Sequence, residues 1–178
     1  MPLIVEDGTA LDSAQSAVSV AEVRAWADAR GIVVPSIGEP GDLTIQRALI
    51  TSMDYLQSPE FCYRGRPVSE TQGIPFPRKY FYYDDETLLA DNVVPANFKT
   101  AQIRLSIAVM SGVDLMPTLS NSNTDYIVKE KVGPIEIEYA SPTNYNGITQ
   151  ITAVDALLAT LTGGDCCPDV GFLKVRRV

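Results

Sequence analysis

One irregular stretch of the chain interleaves basic with aromatic residues, a pattern that could contact nucleic acid. The residues are Arg64, Arg66, Arg78 and Lys79 among Tyr63, Phe76, Tyr80 and Phe81. Proteins that bind single strands use basic groups for the phosphates and aromatic rings for stacking on bases. The same composition fits a loop whose rings pack on the protein and whose arginines pair with nearby acids. We favour this second interpretation.

Other chemistry finds little support in the residue types. The chain has no histidine, which excludes Ser/His/Asp and Cys/His catalysis and histidine metal sites. Neither glycine-rich phosphate motif occurs. The acidic run 84–86 lacks the spacing of a calcium loop and is interpreted as solvated charge. A hydrolase built on two carboxylates stays open, although nothing singles out a pair. We expect no enzymatic activity, no catalytic residues, no cofactor and no metal.

The cysteines indicate a reducing compartment. Cys62, Cys166 and Cys167 are odd in number and match no zinc or redox spacing. We expect reduced thiols in a protein made in a cytoplasm. The start of the chain lacks the basic region of a secretory signal, and no apolar run approaches the ~20 residues that span a bilayer. No membrane partner is expected.

The overall charge argues against a free-standing DNA binder. The chain carries 14 basic against 22 acidic residues, a net charge of -8. Binding to the nucleic-acid backbone relies on a basic surface that releases counterions. An acidic protein that only lines a DNA channel is compatible with this charge, because repulsion prevents sticking. With 178 residues and 46 % hydrophobic content, the chain is long and apolar enough for one compact domain.

The spacing of apolar residues predicts a mainly α fold, a small helical bundle with an inserted β ribbon, a long irregular loop and extended arms at both ends. The first helix begins at Ser19, with Glu22 completing a capping box, and stops at Gly31. The second begins at Asp42 as N-cap. We divide this single domain into an N-terminal arm (1–18), a helical core (19–112) containing the long loop (59–94), a ribbon (125–139), a C-terminal helix (152–162) and a tail (163–178).

The third helix carries an unusually wide apolar face. It is predicted between Pro95, at its first position, and Gly112, its stop. The face consists of Phe98, Ala101, Leu105, Ala108 and Val109, broadened by Ile103 and Ile107. A stripe this wide indicates burial on two sides, between neighbouring helices or against another subunit.

After this helix the pattern alternates with a period of two. It predicts strands over 125–132 and 135–139, joined at Gly133 and Pro134. Gly-Pro is not the usual turn of a two-residue hairpin. Both a hairpin and one bent ribbon remain open.

Taken together, several segments resemble one phage protein family. They are ALITSMDYLQ, YRGRPVSETQGIPFPR, VPANFKTAQIRLSIAVMSG and VKEKVGPIEIEY. The family consists of head–tail adaptor (connector) proteins of tailed bacteriophages, often labelled DnaT-like single-stranded-DNA-binding proteins. The resemblance covers the chain from about Leu3 to Leu161. Phe76 stands where the family often has tryptophan before its Pro-Arg.

The resemblance implies a structural virion protein at the head–tail junction. Its members form a ring, commonly dodecameric, that contacts the portal and the next tail component (terminator, stopper or nozzle). Genomic DNA would pass through the lumen without specific binding. The portal contacts would be Phe172, Leu173, Lys174, Val175, Arg176 and Arg177. The tail-side contacts would be Lys129, Lys131, Val132, Gly133 and Pro134. The alternative is a single-stranded-DNA-binding accessory protein.

Overall fold

The described residues of the computed structural model are 2–58, 62–83, 86–116, 129–132, 135–138 and 151–163. They form four helices and two small antiparallel sheets, so the fold is mainly α-helical. The helices are α1 (Val20–Asp28), α2 (Gly41–Leu56), α3 (Ala96–Met110) and α4 (Thr152–Leu158). The strands are β1 (Arg66–Pro67), β2 (Arg78–Lys79), β3 (Lys129–Val132) and β4 (Ile135–Glu138).

The start of α1 is the capping box that the sequence predicts. The Ser19 hydroxyl accepts from the backbone N–H of Glu22 at 3.2 Å, and the Glu22 carboxylate accepts from the backbone N–H of Ser19 at 2.6 Å. These reciprocal bonds satisfy donors that the first helical turn leaves open. Gly31 follows the helix in the left-handed region, with φ +64°.

The predicted start of α2 is wrong. The helix begins at Gly41, and the residue before it, Pro40, is the N-cap. Asp42 does not cap, because its carboxylate forms an ion pair with Arg24 of α1 at 2.5 Å. The other carboxylate oxygen accepts from the backbone N–H of Gly38 at 3.1 Å. A partner distant in sequence has therefore replaced the local cap.

The wide face of α3 packs against the chain itself, fully buried at Phe98, Ala101, Ile103 and Leu105 and half-buried at Ile107, Ala108 and Val109. Pro95 is the N-cap of this helix, whereas the sequence predicted it at the first helical position. Gly112 follows the end of the helix with φ +90°. One side of α3 joins the main core between α2 and α4, and the other joins a second core beneath α1. The main core receives Phe98, Ala101 and Leu105, and the second core receives Ile103 and Ile107. Of the two alternatives that the sequence leaves open, burial between neighbouring helices is the one that the structure shows.

The segment interpreted as an N-terminal arm belongs to the body of the protein. Ala14, Ala17 and Val18 are buried in the two cores. Gln102, buried on α3, holds the segment in place: its Oε1 accepts from the backbone N–H of Ala17 at 2.9 Å, and its Nε2 donates to Ser16 Oγ at 2.9 Å. The structure therefore corrects the description of residues 2–18 as an extended arm.

The predicted ribbon is a hairpin in its described part. β3 and β4 pair antiparallel, with Val132 opposite Ile135 and Lys129 opposite Glu138. Of the two alternatives that the sequence leaves open, the hairpin is confirmed.

Candidate nucleic-acid interface

Two cations lie opposite each other on the small ribbon formed by β1 and β2. Arg66 pairs with Lys79 across the antiparallel strands, so the two side chains share one face. Arg66 is exposed and Lys79 is half-buried. Within the described part of the chain, neither side chain forms an ion pair or a hydrogen bond. Like charges directly opposite each other destabilise a strand pair. This pair would therefore gain from an anion placed between its members.

A glycine lets the two strands of this ribbon approach. Gly65 has φ +72°, in the left-handed region, and a Cβ atom there would lie 2.5 Å from the backbone oxygen of Lys79. Any side chain at this position would push the strands apart. Gly65 therefore fixes the register that brings the two cations together.

The guanidinium of Arg78 holds the base of the ribbon. Its Nε donates to the backbone oxygen of Arg64 at 2.7 Å, and its Nη2 donates to those of Gly65 at 2.9 Å and Tyr63 at 3.2 Å. Its Nη1 donates to the backbone oxygen of Pro75 at 3.2 Å. One planar fork therefore ties the segment before β1 to the segment before β2. Arg78 has a structural role.

Arg64 connects the ribbon to the end of α4. Its Nε donates to the backbone oxygen of Thr162 at 3.2 Å, and its Nη1 donates to that of Tyr82 at 3.4 Å. Of the four basic residues in the sequence pattern, Arg64 and Arg78 are thus bound to the protein's own carbonyls. Arg66 and Lys79 instead lie opposite each other across the two strands.

The aromatic residues of the same stretch divide in a similar way. Tyr63, Phe76 and Phe81 are buried, as the packing interpretation predicts. The ring of Phe76 lies 5.3 Å from Tyr63 and 5.7 Å from Phe81, centroid to centroid. The Tyr63 hydroxyl donates to the backbone oxygen of Leu56 at 2.9 Å, and burial raises the pKa of this phenol far above its usual range. These rings build the core.

Two tyrosines next to the buried rings remain exposed. Tyr80 is 69 % exposed and Tyr82 is 49 % exposed, on either side of the buried Phe81. Tyr80 also has φ +55°, a backbone conformation that is uncommon for a bulky residue. Strained backbone of this kind is concentrated at binding and catalytic sites. We call the four residues Arg66 and Lys79 of the paired strands and Tyr80 and Tyr82 shortly after β2 the ribbon face.

A second aromatic residue with nearby cations was missed by sequence reasoning. The guanidinium carbon of Arg30 lies over the ring of Trp26 on α1, 3.8 Å from the ring centroid. The guanidinium carbon of Arg104 on α3 lies 5.5 Å from the same centroid. A cation on the ring stabilises the indole but also covers its face. Only the packing of α1 against α3 brings Arg104 here, so no local pattern could reveal it. The covered ring makes this cluster a poorer stacking platform than the ribbon face.

The other predicted contacts lie partly outside the described residues. Lys129, Lys131 and Val132 lie in β3. Gly133 and Pro134 fall outside the described residues, as do Phe172, Leu173, Lys174, Val175, Arg176 and Arg177. Strand pairing does not bring Lys129, Lys131 or Val132 to the ribbon face, because among the described strands β3 pairs only with β4.

The described part of the chain contains neither a cluster of metal ligands nor a membrane-spanning helix. No group of three or more acidic or cysteine side chains there is placed to hold a metal ion. None of the described helices has the length and apolar character to cross a membrane. Cys62 is half-buried, and Cys166 and Cys167 lie outside the described residues.

The sequence model of one protein family, described as "Putative DnaT-like ssDNA binding protein", matches residues 1–178. The chain belongs to this family. No curated protein and no solved structure matches the chain.

Membership of this family corrects the functional interpretation of the sequence. The prediction of a phage head–tail adaptor was wrong: the family match supports single-stranded DNA as the partner, not a portal-bound ring through which DNA passes unbound. The alternative, a single-stranded-DNA-binding protein, is the better supported one. Two features of the sequence misled the interpretation. One is the wide apolar face of α3, which packs against other parts of the same chain. The other is the net charge of -8, which does not reveal the local pair of cations.

Proposed function

We propose that this protein binds single-stranded DNA on the ribbon face and that it does so without catalysing a reaction. The observation that carries the proposal is the pair Arg66 and Lys79, opposite each other on the two strands, with the exposed Tyr80 directly following Lys79 in the chain. The family to which the chain belongs supports the choice of ligand.

The cation pair supplies the contact with the DNA backbone. A phosphate between Arg66 and Lys79 would replace repulsion between the two side chains with two charge-assisted hydrogen bonds. Each neutralised phosphate releases counterions, with a salt slope of about -0.7 per contact for single strands. One phosphate held between the two side chains therefore predicts a slope of about -0.7 in a plot of log affinity against log salt concentration.

The exposed tyrosines supply the preference for single strands. Bases stack on aromatic side chains, and this stacking tolerates any base because every base has a π face. In a duplex the bases are stacked on each other and cannot reach Tyr80 or Tyr82. We therefore expect a preference for single strands over duplex and little dependence on sequence.

The remaining charge of the protein limits the affinity. With a net charge of -8, the protein as a whole repels DNA at long range. Attraction must come from short-range contacts at the ribbon face. We expect an affinity well below that of proteins with an extended basic groove.

The test is fluorescence anisotropy with a labelled oligothymidylate and with a duplex of the same length. The wild-type chain should bind the oligothymidylate more tightly, with the salt slope given above. The double variant Arg66→Ala/Lys79→Gln should lose most of the affinity. Arg47→Ala, which removes an exposed arginine from α2, is the matched control and should bind as the wild type does.

Two results would contradict the proposal. One is the absence of binding by the wild-type chain at low salt. The other is a loss of affinity per removed charge that is equal in the double variant and in the Arg47 control, because that would indicate general charge attraction rather than a site on the ribbon face.

A further inference from the structure

The linker between α1 and α2 exposes large apolar side chains beside a groove. Val33 is 96 % exposed and Ile37 is 86 % exposed. The adjacent groove has a volume of about 610 Å³ and is lined by these side chains, by Ile32 and Val34, and by α1 residues that include Asp28. A groove of this size can take two or three apolar side chains. Leaving this surface in water is unfavourable, by about 25 cal/mol for each Å² of apolar area.

The linker is held in this exposed position by specific contacts. The guanidinium of Arg24 donates to the backbone oxygens of Pro35 and Ser36, the latter at 2.9 Å, and forms the ion pair with Asp42. Asp42 also accepts from the backbone N–H of Gly38. The groove is therefore formed before any ligand arrives, which lowers the entropic cost of binding.

The charges around the groove indicate what kind of chain could fill it. One carboxylate, that of Asp28, lines the groove, and that of Asp42 lies beside it through its contact with Arg24. Arg24 is the one cation among the lining residues and is paired with Asp42, so the charge of Asp28 is not balanced within the lining. Complementary charge favours a basic partner at an acidic rim. The groove thus fits a segment that is apolar and basic at once.

One segment of the chain has this composition. Residues 171–178 read GFLKVRRV, with four large apolar residues, three basic residues and no acidic residue. We propose that this C-terminal segment of the same molecule docks in the groove between α1 and the linker. Its apolar side chains would cover Val33 and Ile37, and its cations would meet the carboxylate of Asp28.

The length of the chain allows this docking. The groove lies at the start of α2, and Gly163 lies near its end, because Gly163 bonds to Cys62 and Tyr63 bonds to Leu56. With 16 residues, α2 is about 24 Å long. The path is longer than α2 itself, because it also includes the steps from Gly163 to Leu56 and from Gly41 to the linker. Residues 164–171 can span up to about 26–29 Å when extended, and residues 164–178 up to about 50–54 Å. The last residues of the C-terminal segment can therefore reach the groove of its own molecule.

Photo-crosslinking in the full-length chain tests this proposal. Val33→p-benzoylphenylalanine places the reactive group at the exposed linker, and Leu88→p-benzoylphenylalanine is the control at another exposed apolar position. After irradiation and cleavage before aspartate, mass spectrometry should find the peptide 169–178 attached at position 33, on a species of monomer mass. The control should give this product about ten-fold less, and Arg176→Glu/Arg177→Glu should reduce it several-fold. Attachment of any other segment, of a second copy, or of nothing would overturn the proposal.

Limited proteolysis gives a second readout that needs no crosslinker. Docking should protect Lys174, Arg176 and Arg177 from trypsin in the full-length chain. Ile37→Asp should speed cleavage there by about ten-fold, since it places a charge in the apolar groove. Leu88→Asp should leave the rate unchanged. Equal rates in both variants and the wild type would contradict docking, provided that thermal unfolding by circular dichroism shows both variants to be folded.

Discussion

The two sides of the segment 62–83 differ in how well their side chains are satisfied. On the inner side, Phe76 and Phe81 lie in edge-to-face contact and Arg78 binds four carbonyl oxygens. On the outer side, Lys79 faces another cation and Tyr80 exposes its ring from a strained backbone. Neighbouring residues of one segment therefore differ in how favourable their surroundings are. The inner side chains are packed and hydrogen-bonded, which stabilises the fold. The outer ones combine like charges, an exposed ring and strained backbone, and such locally unfavourable arrangements are typical of binding sites.

The largest expected effect comes from the inner side. Phe76→Ala should lower the free energy of unfolding by about 3–5 kcal/mol, because it removes a fully buried ring and leaves a cavity. Chemical denaturation monitored by circular dichroism measures the change. A loss below about 1 kcal/mol, a value common for surface positions, would show that this ring is not part of a packed core.

Replacing the guanidinium at the base of the ribbon should have the next largest effect. Arg78→Lys keeps the charge but loses the planar fork, so several carbonyl oxygens lose their donor. We expect the free energy of unfolding to fall by about 2–3 kcal/mol in the same denaturation experiment. Arg66→Lys on the outer side is the matched control and should change stability little. Equal effects of the two substitutions would remove the distinction between the sides.

Removing the exposed ring should affect binding but not stability. Tyr80→Ala should weaken the binding of oligothymidylate by about 1–3 kcal/mol, because one base loses its stacking partner. The free energy of unfolding should change by no more than about 0.5 kcal/mol. Tyr80→Phe keeps the ring and should bind almost as the wild type does. Should the alanine variant bind normally, Tyr80 would have no part in the site.

Reversing one charge of the cation pair should separate stability from binding. Lys79→Glu converts a repulsive cross-strand pair into an attractive one, so the chain should become more stable by about 0.2–1 kcal/mol. The melting temperature should rise slightly while the anisotropy signal for DNA is lost. A variant that is both less stable and weaker in binding would indicate that Lys79 serves the fold.

Removing the buried phenol hydroxyl should have the smallest effect of these substitutions on the free energy of unfolding at neutral pH, with a distinct pH dependence at high pH. Burial raises the pKa of Tyr63 in the folded state above the value of about 10 expected for an unfolded chain. Its contribution to stability is therefore fully present below about pH 10 and is lost as the pH rises further. The difference in unfolding free energy between the wild type and Tyr63→Phe should shrink above that pH. A difference independent of pH would contradict the assignment of Tyr63 to the core.

Local patterns predicted the elements but not the contacts between them. Apolar spacing gave the helices, and the capping box at Ser19 gave the start of α1 to the residue. The burial of the N-terminal segment was not predicted, because its buried alanines show no helical or strand periodicity. Only the hydrogen bond from Ala17 N–H to Gln102 of α3 explains how the segment is held. Arg66 and Arg78 are the same residue type in the same loop. Only the backbone geometry around Gly65 distinguishes the outward cation from the structural one.

The most direct test of the account is to find which residues touch DNA. Single-stranded DNA containing 5-iodouracil, crosslinked to the full-length chain by ultraviolet light, attaches to aromatic side chains that stack on the modified base. Mass spectrometry of the digested product should place the main attachment at Tyr80, with a lesser one at Tyr82. Attachment confined to Trp26, or to segments away from the ribbon face, would contradict the account even if the protein binds DNA.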